Sequence, residues 1–102
     1  YIDDIVDGVL GACKHPPRDL EIPHRILNLG NNQPVKLGDF IATLETRCER
    51  EAITELVDMQ PGDVKRTCAN IDAAQELFGF APKTPIEEGL RQFVNWFRAY
   101  YR

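Results

Sequence analysis

The sequence lacks the marks of several protein classes. Its three cysteines, Cys13, Cys48 and Cys68, form no Cys-x-x-Cys pair, and the two histidines, His15 and His24, do not extend them into a zinc pattern. A sparse, odd set of thiols fits reduced, partly buried cysteines and a cytoplasmic setting, not a disulfide framework. No apolar run approaches the ~20 residues needed to span a bilayer. The opening Tyr1-Ile2-Asp3-Asp4 has neither the basic nor the apolar region of a signal peptide, and no initiator Met precedes it. Basic residues number 12 against 16 acidic ones, and they gather in no stripe. A net charge of −4 without a clustered basic face argues against nucleic acid as a partner. The expectation is no nucleic acid, no membrane and no metal. His15 and His24 flank prolines and are expected to be exposed and incidental.

What remains is ordinary for a small globular chain: 102 residues, 43% apolar and 27% charged. Ile5, Val6, Val9, Leu10 and Cys13 recur at helical spacing and predict a helix over Asp3 to Lys14, capped by Asp3 or Asp4 and ended by His15-Pro16-Pro17. Leu37, Phe40, Ile41, Leu44 and Cys48 predict a second helix from about Val35 to Arg50. Asn70 and Gly79 bracket a third over Ile71 to Phe78. Thr84, Pro85 and Glu87 form a capping-box start for a fourth, whose apolar face carries Ile86, Leu90, Phe93, Val94, Phe97 and Tyr101, widened by Trp96 and Tyr100.

Two segments read as strands. Arg25 to Gly30 is short and apolar on both faces, as in a central parallel strand. Ile53 to Met59 alternates over most of its length. The predicted class is α/β: about four helices and two or three short strands, incomplete as a sheet, because two strands without a hairpin do not stand alone. The strand at Ile26 is expected to be one edge of a larger sheet left outside the chain. Uncovered apolar surface then predicts self-association or homo-oligomerisation.

Five strings appear in order: Tyr1 to Gly8, Asn28 to Val35, Met59-Gln60-Pro61-Gly62-Asp63-Val64, Gly79 to Thr84, and Glu87 to Val94 with Trp96. Together they resemble the C-terminal part of the extended short-chain dehydrogenase/reductases, the NAD-dependent epimerase/dehydratase family, and within it the UDP-glucuronate 4-epimerases. The resemblance implies a single C-terminal substrate-binding segment over 1–102, with the NAD-binding Rossmann domain outside it. It implies NAD as the cofactor of the parent and none bound by this segment. It implies a UDP-sugar substrate epimerised at C4 by transient oxidation, and a segment that is inactive alone. No catalytic residue falls within it: Tyr1 is followed by Ile5, not Lys, at the fourth position. Gly8-x-x-Gly11 lacks a preceding strand and reads as small residues at a packing contact.

For substrate contact the resemblance points to the loop Gln60 to Thr67, with Gln60, Asp63, Arg66 and Thr67 as its contacts. Gln60 stands where related UDP-galactose epimerases carry a diphosphate-gripping Arg. Asn32 and Gln33 follow the predicted strand at its C-terminal end, where open α/β sheets bind ligands. The competing expectations are another sugar-nucleotide enzyme (4,6-dehydratase, UDP-glucuronate decarboxylase or UDP-galactose 4-epimerase) and a non-catalytic module that binds a nucleotide sugar or a protein.

Overall fold

The computed structural model of the chain describes residues 1–18 and 20–101. Its elements are α1 (Ile2–Lys14), α2 (Leu37–Cys48), α3 (Asp72–Phe78) and α4 (Ile86–Tyr100). They divide between two units, the first Tyr1–Pro34 with Cys68–Lys83 and the second Val35–Thr67 with Thr84–Arg102.

No strand occurs among the described residues, so the expected α/β class with two or three strands is wrong for this chain. The reason is hydrogen bonding. A strand exists only as part of a ladder that satisfies its N–H and C=O groups. Arg25 to Gly30 is apolar enough, but it runs as an irregular segment outside any ladder. Leu29 packs into the core of the first unit, while Ile26 stays 79% exposed. Ile53 to Met59 likewise forms no element, and Ile53 and Leu56 are wholly exposed. Alternation there met no layer to pack against.

The first unit is built around α3. Asn70 does not hold the cap position as expected: α3 starts at Asp72 with Ile71 as its cap residue, and Asn70 Oδ1 accepts from the N–H of Asp72 at 3.0 Å in an Asx turn leading into the helix. Gly79 takes φ 74° at its end, a left-handed conformation suited to glycine. Gly79 N–H donates to the Gln75 carbonyl at 2.8 Å, the five-to-one bond of a left-handed helix ending, and Phe80 N–H then donates to the Ala74 carbonyl at 3.4 Å. That reversal drives Phe80 into the core beside Ile71 and Ala74, with Leu29, Ala69 and Phe78 packed around them.

α1 joins this core by an unexpected face. The predicted stripe is not the buried one: Val6, Val9, Leu10 and Cys13 are exposed and Ile5 only half-buried. The buried residues are Asp4 and Gly8, which share a face with Gly11 at 100° per residue. A Cβ on Gly8 would stand 2.9 Å from Leu29 and Phe80 side-chain atoms, and one on Gly11 would stand 2.5 Å from the Phe78 ring. Small residues let the helix approach closely. His15 is not incidental either: its Nδ1 lies 2.9 Å from the Gly11 carbonyl at the end of α1, and its ring stacks on Phe78 at 5.8 Å.

The second unit is an α2–α4 pair. Leu90 and Val94 of α4 are buried, but no residue of α2 is, and its expected stripe is half-buried at Phe40, Ile41, Leu44 and Cys48 and exposed at Leu37. Arg98 Nη2 donates to the Cys48 carbonyl at 2.9 Å, satisfying the end of α2 with a favourable positive charge. α4 begins at Ile86 with Pro85 in the cap position and no side-chain cap bond, one residue later than the Thr84 start predicted.

Candidate functional site

The loop Gln60 to Thr67 is shaped by its own turn. Asp63 N–H donates to the Gln60 carbonyl at 3.1 Å, with Pro61 and Gly62 (φ 88°) between them. Proline second and a positive-φ glycine third are the requirements of a type II turn. Asp63 Oδ1 accepts from the N–H of Val64 at 2.8 Å, so one carboxylate oxygen already stiffens the loop. Gln60, Asp63, Arg66 and Thr67 are all exposed. The turn holds Gln60 and Asp63 at its two ends, where an amide donor and a carboxylate acceptor suit hydroxyl and phosphate groups.

Asn32 and Gln33 belong to the first unit and the 60–67 loop to the second. Both side chains are exposed. Gln33 N–H donates to Asn31 Oδ1 at 2.7 Å, and Ala69 N–H to the Asn31 carbonyl at 3.5 Å. Cys68 Sγ donates to the Asn32 carbonyl at 3.3 Å. The Asn31-Asn32-Gln33 turn is thus tied to the residues entering α3.

Sequence reasoning missed Asp4. Its side chain is 9% exposed, and Oδ1 accepts from the N–H of Lys83 at 3.0 Å. It does not cap α1 as expected; it ties the start of α1 to the segment following Phe80. A usable signal existed: Asp4 shares the small-residue face of Gly8 and Gly11, and a carboxylate on a close-packed face needs a partner. No cluster of His, Cys, Asp and Glu able to hold a metal occurs among the described residues. Nor is any helix among them long and apolar enough to cross a membrane.

No family model matches the chain. Individual relatives do. It is 36% identical over 116 aligned positions to a probable UDP-glucuronate 4-epimerase of Rhizobium meliloti, covering 100% of this chain and 34% of that protein. It is 39% identical over 110 positions to UDP-glucuronate 4-epimerase 1 of Arabidopsis thaliana, covering 99% and 26%. The chain is related to the UDP-glucuronate 4-epimerases. Structure agrees with sequence. The crystal structure of UDP-glucuronic acid 4-epimerase from Bacillus cereus, in complex with UDP-glucuronic acid and NAD, matches this epimerase relative with a TM-score of 0.80 at 26% identity, over 99% of this chain and 31% of that one. The resemblance read from the five ordered strings is borne out. The chain spans about a third or less of the length of these relatives.

The glycine pair of α1 does not form a dinucleotide loop. The pair Gly8 and Gly11, nearest to a glycine motif, is spent on packing against Leu29, Phe80 and Phe78. A phosphate-cradling loop needs glycine N–H groups turned to the ligand. In α1 they lie inside a helix.

Proposed function

We propose that this chain is the C-terminal substrate-binding segment of an NAD-dependent epimerase that interconverts UDP-glucuronate and UDP-galacturonate at C4. The observation that carries the reading is similarity, along nearly all of this chain, to one part of UDP-glucuronate 4-epimerases in both sequence and structure. In this reading the remaining length of the parent holds NAD, which supplies the transient oxidation at C4. The residues of this chain bind and orient the nucleotide end of the substrate. Gln60 and Asp63 at the ends of the type II turn, with Arg66, Thr67, Asn32 and Gln33, are the proposed contacts. Arg66 offsets substrate negative charge, and Gln60 donates without adding any. The segment alone turns nothing over.

The test uses the full-length protein encoded by the reading frame that contains this segment. Given UDP-glucuronate and NAD, it is expected to form UDP-galacturonate, and the 102-residue segment alone is expected to form none. Loss of CO2 or dehydration in place of epimerisation would replace this reading with the decarboxylase or the 4,6-dehydratase. Gln60→Ala and Arg66→Ala are expected to raise KM more than they lower kcat, because they remove binding remote from C4. An unchanged KM in both would remove the loop from the site.

A further inference from the structure

Asn32 and Gln33 sit on a turn that the first unit grips from one side. Residues 30–32 and 68–69 of that unit run beside each other without forming a ladder. Gly30 permits the approach: a Cβ there would stand 3.0 Å from the Ala69 Cβ. At the next residue, the Ala69 N–H reaches the Asn31 carbonyl at 3.5 Å, the outer limit of a hydrogen bond. At the one after, the Cys68 thiol donates to the Asn32 carbonyl at 3.3 Å. Its other acceptor, the Ala69 carbonyl, lies at 3.9 Å, and a thiol has one proton to give. Three consecutive residues, Gly30, Asn31 and Asn32, are thus each held by Ala69 or Cys68. Within the turn, Asn31 Oδ1 also takes the Gln33 N–H at 2.7 Å.

From this clasp we infer that Cys68 is a positioning residue for the substrate, acting through Asn32 and Gln33. The inference rests on the proposed role of those two side chains and adds what holds them in place. Both are exposed, so packing does not fix the turn, and an untethered turn must be ordered at the moment of binding. Pro34 restricts the exit of the turn, whereas Gly30 leaves its entry free. The clasp falls on the free end. Its backbone bond is long, so the thiol carries most of the hold. A thiol is a weak donor, and the effect is therefore modest: about two- to tenfold in apparent affinity, the range of one net hydrogen bond. Cys68 touches no reacting atom in this role.

The test uses the full-length protein with UDP-glucuronate and NAD. Cys68→Ala is expected to raise KM about two- to tenfold and to leave kcat unchanged, since only binding remote from C4 is lost. Cys68→Ser keeps a donor and is expected to recover most of that loss. In a protein already carrying Asn32→Ala and Gln33→Ala, adding Cys68→Ala is expected to raise KM no further, because the side chains it positions are gone. A role in stability alone would lower the melting temperature or the yield of active enzyme, and would leave KM where it was. Parent-like KM in Cys68→Ala overturns the inference. So does a Cys68→Ser variant no better than Cys68→Ala, or a further rise in KM in the doubly substituted background. If Asn32→Ala with Gln33→Ala leaves KM unchanged, the contact assignment fails and takes the inference with it. If that pair raises KM while Cys68→Ala does not, the contacts stand and only the clasp is wrong. A full-length protein that leaves UDP-glucuronate unaltered removes the proposed activity and the role of Cys68 together.

Discussion

Gly11 and Gly38 sit in helices of the two units and meet opposite surroundings. Gly11 of α1 lies against the Phe78 ring, while nothing stands within 4 Å of a Cβ placed on Gly38 of α2. The contrast extends to the whole units. The first has a left-handed reversal at Gly79, a buried carboxylate bonded to the backbone, and a helix brought close by small residues. The second has one helix pair, a single long-range cap from Arg98, and an open segment from Arg50 to Thr67. Closure in the first unit comes from sites where a side chain or its absence satisfies backbone and fills space together. In the second unit, apolar content is just as available but lies where nothing covers it.

The sharpest way to break this comparison is to empty the core of the first unit. Phe80→Ala removes a ring that Ile71, Ala74 and Leu29 surround, and buried Phe→Ala changes cost about 3–5 kcal/mol. That is expected to unfold the first unit or to lower its urea midpoint severely. Phe93→Ala in the second unit removes a ring of the same size that is half in solvent, and should cost under about 1 kcal/mol in the dilute monomer. Equal losses would mean that the units are not energetically distinct.

Asp4 comes next. Asp4→Ala leaves the Lys83 N–H without this acceptor in a part-buried place, at an expected cost of about 1–3 kcal/mol in urea unfolding. Asp4→Asn keeps an acceptor oxygen and should recover part of the loss. If Asp4→Ala is neutral, the tie to Lys83 contributes nothing to closure.

The glycine pair itself sets the third test. In a helix, Gly→Ala gains about 0.5–1 kcal/mol from backbone entropy alone. Gly38→Ala should collect that gain and raise the melting temperature slightly. Gly11→Ala forces the Phe78 ring to move, and overpacking costs about 1–3 kcal/mol, so the net sign reverses. A stabilising Gly11→Ala would show that the close approach in α1 is slack.

How much of this was legible follows the same division. Helix positions were readable because 3.6-residue spacing and local stop signals suffice for them; Gly79 ended α3 as its identity required. Which face a helix buries was not. In α1 the apolar residues Val6, Val9 and Leu10 point away from the core, and the packing falls to Asp4, Gly8 and Gly11, which no hydrophobicity pattern selects. The two strands failed because a strand depends on its neighbours, and the residues around Ile26 and Ile53 carry no information about whether neighbours exist. Of the candidate site, Pro61-Gly62 announced its turn, since the positive φ at Gly62 is what that pair specifies. Bonds from Asp4 to Lys83 and from Cys68 to Asn32 join residues far apart in sequence and had no local signature.

The smallest effect tests whether the second unit owes anything to charge. Arg91 donates to Glu88 through Nε at 2.8 Å and Nη2 at 2.5 Å, and Gln92 Nε2 adds a third bond at 2.9 Å. These bonds, Arg91 foremost, hold the Glu88 carboxyl below its ordinary value of 4.5, with the positive charge of Arg47 on α2 assisting. A carboxyl lowered in the folded state binds its proton less readily there than in the unfolded chain. Its contribution is therefore complete above the ordinary value and is lost as pH falls through the lowered folded one. The group is on the surface, so the contribution is small and salt screens it. The helicity of the chain is expected to soften slightly as pH falls below the ordinary carboxylate range in low salt. Glu88→Gln should flatten that part of the profile, and added salt should do so in the parent chain. A profile that Glu88→Gln leaves unchanged would assign the acid sensitivity to other carboxylates and leave the α2–α4 pair held by Leu90, Val94 and the Arg98 cap.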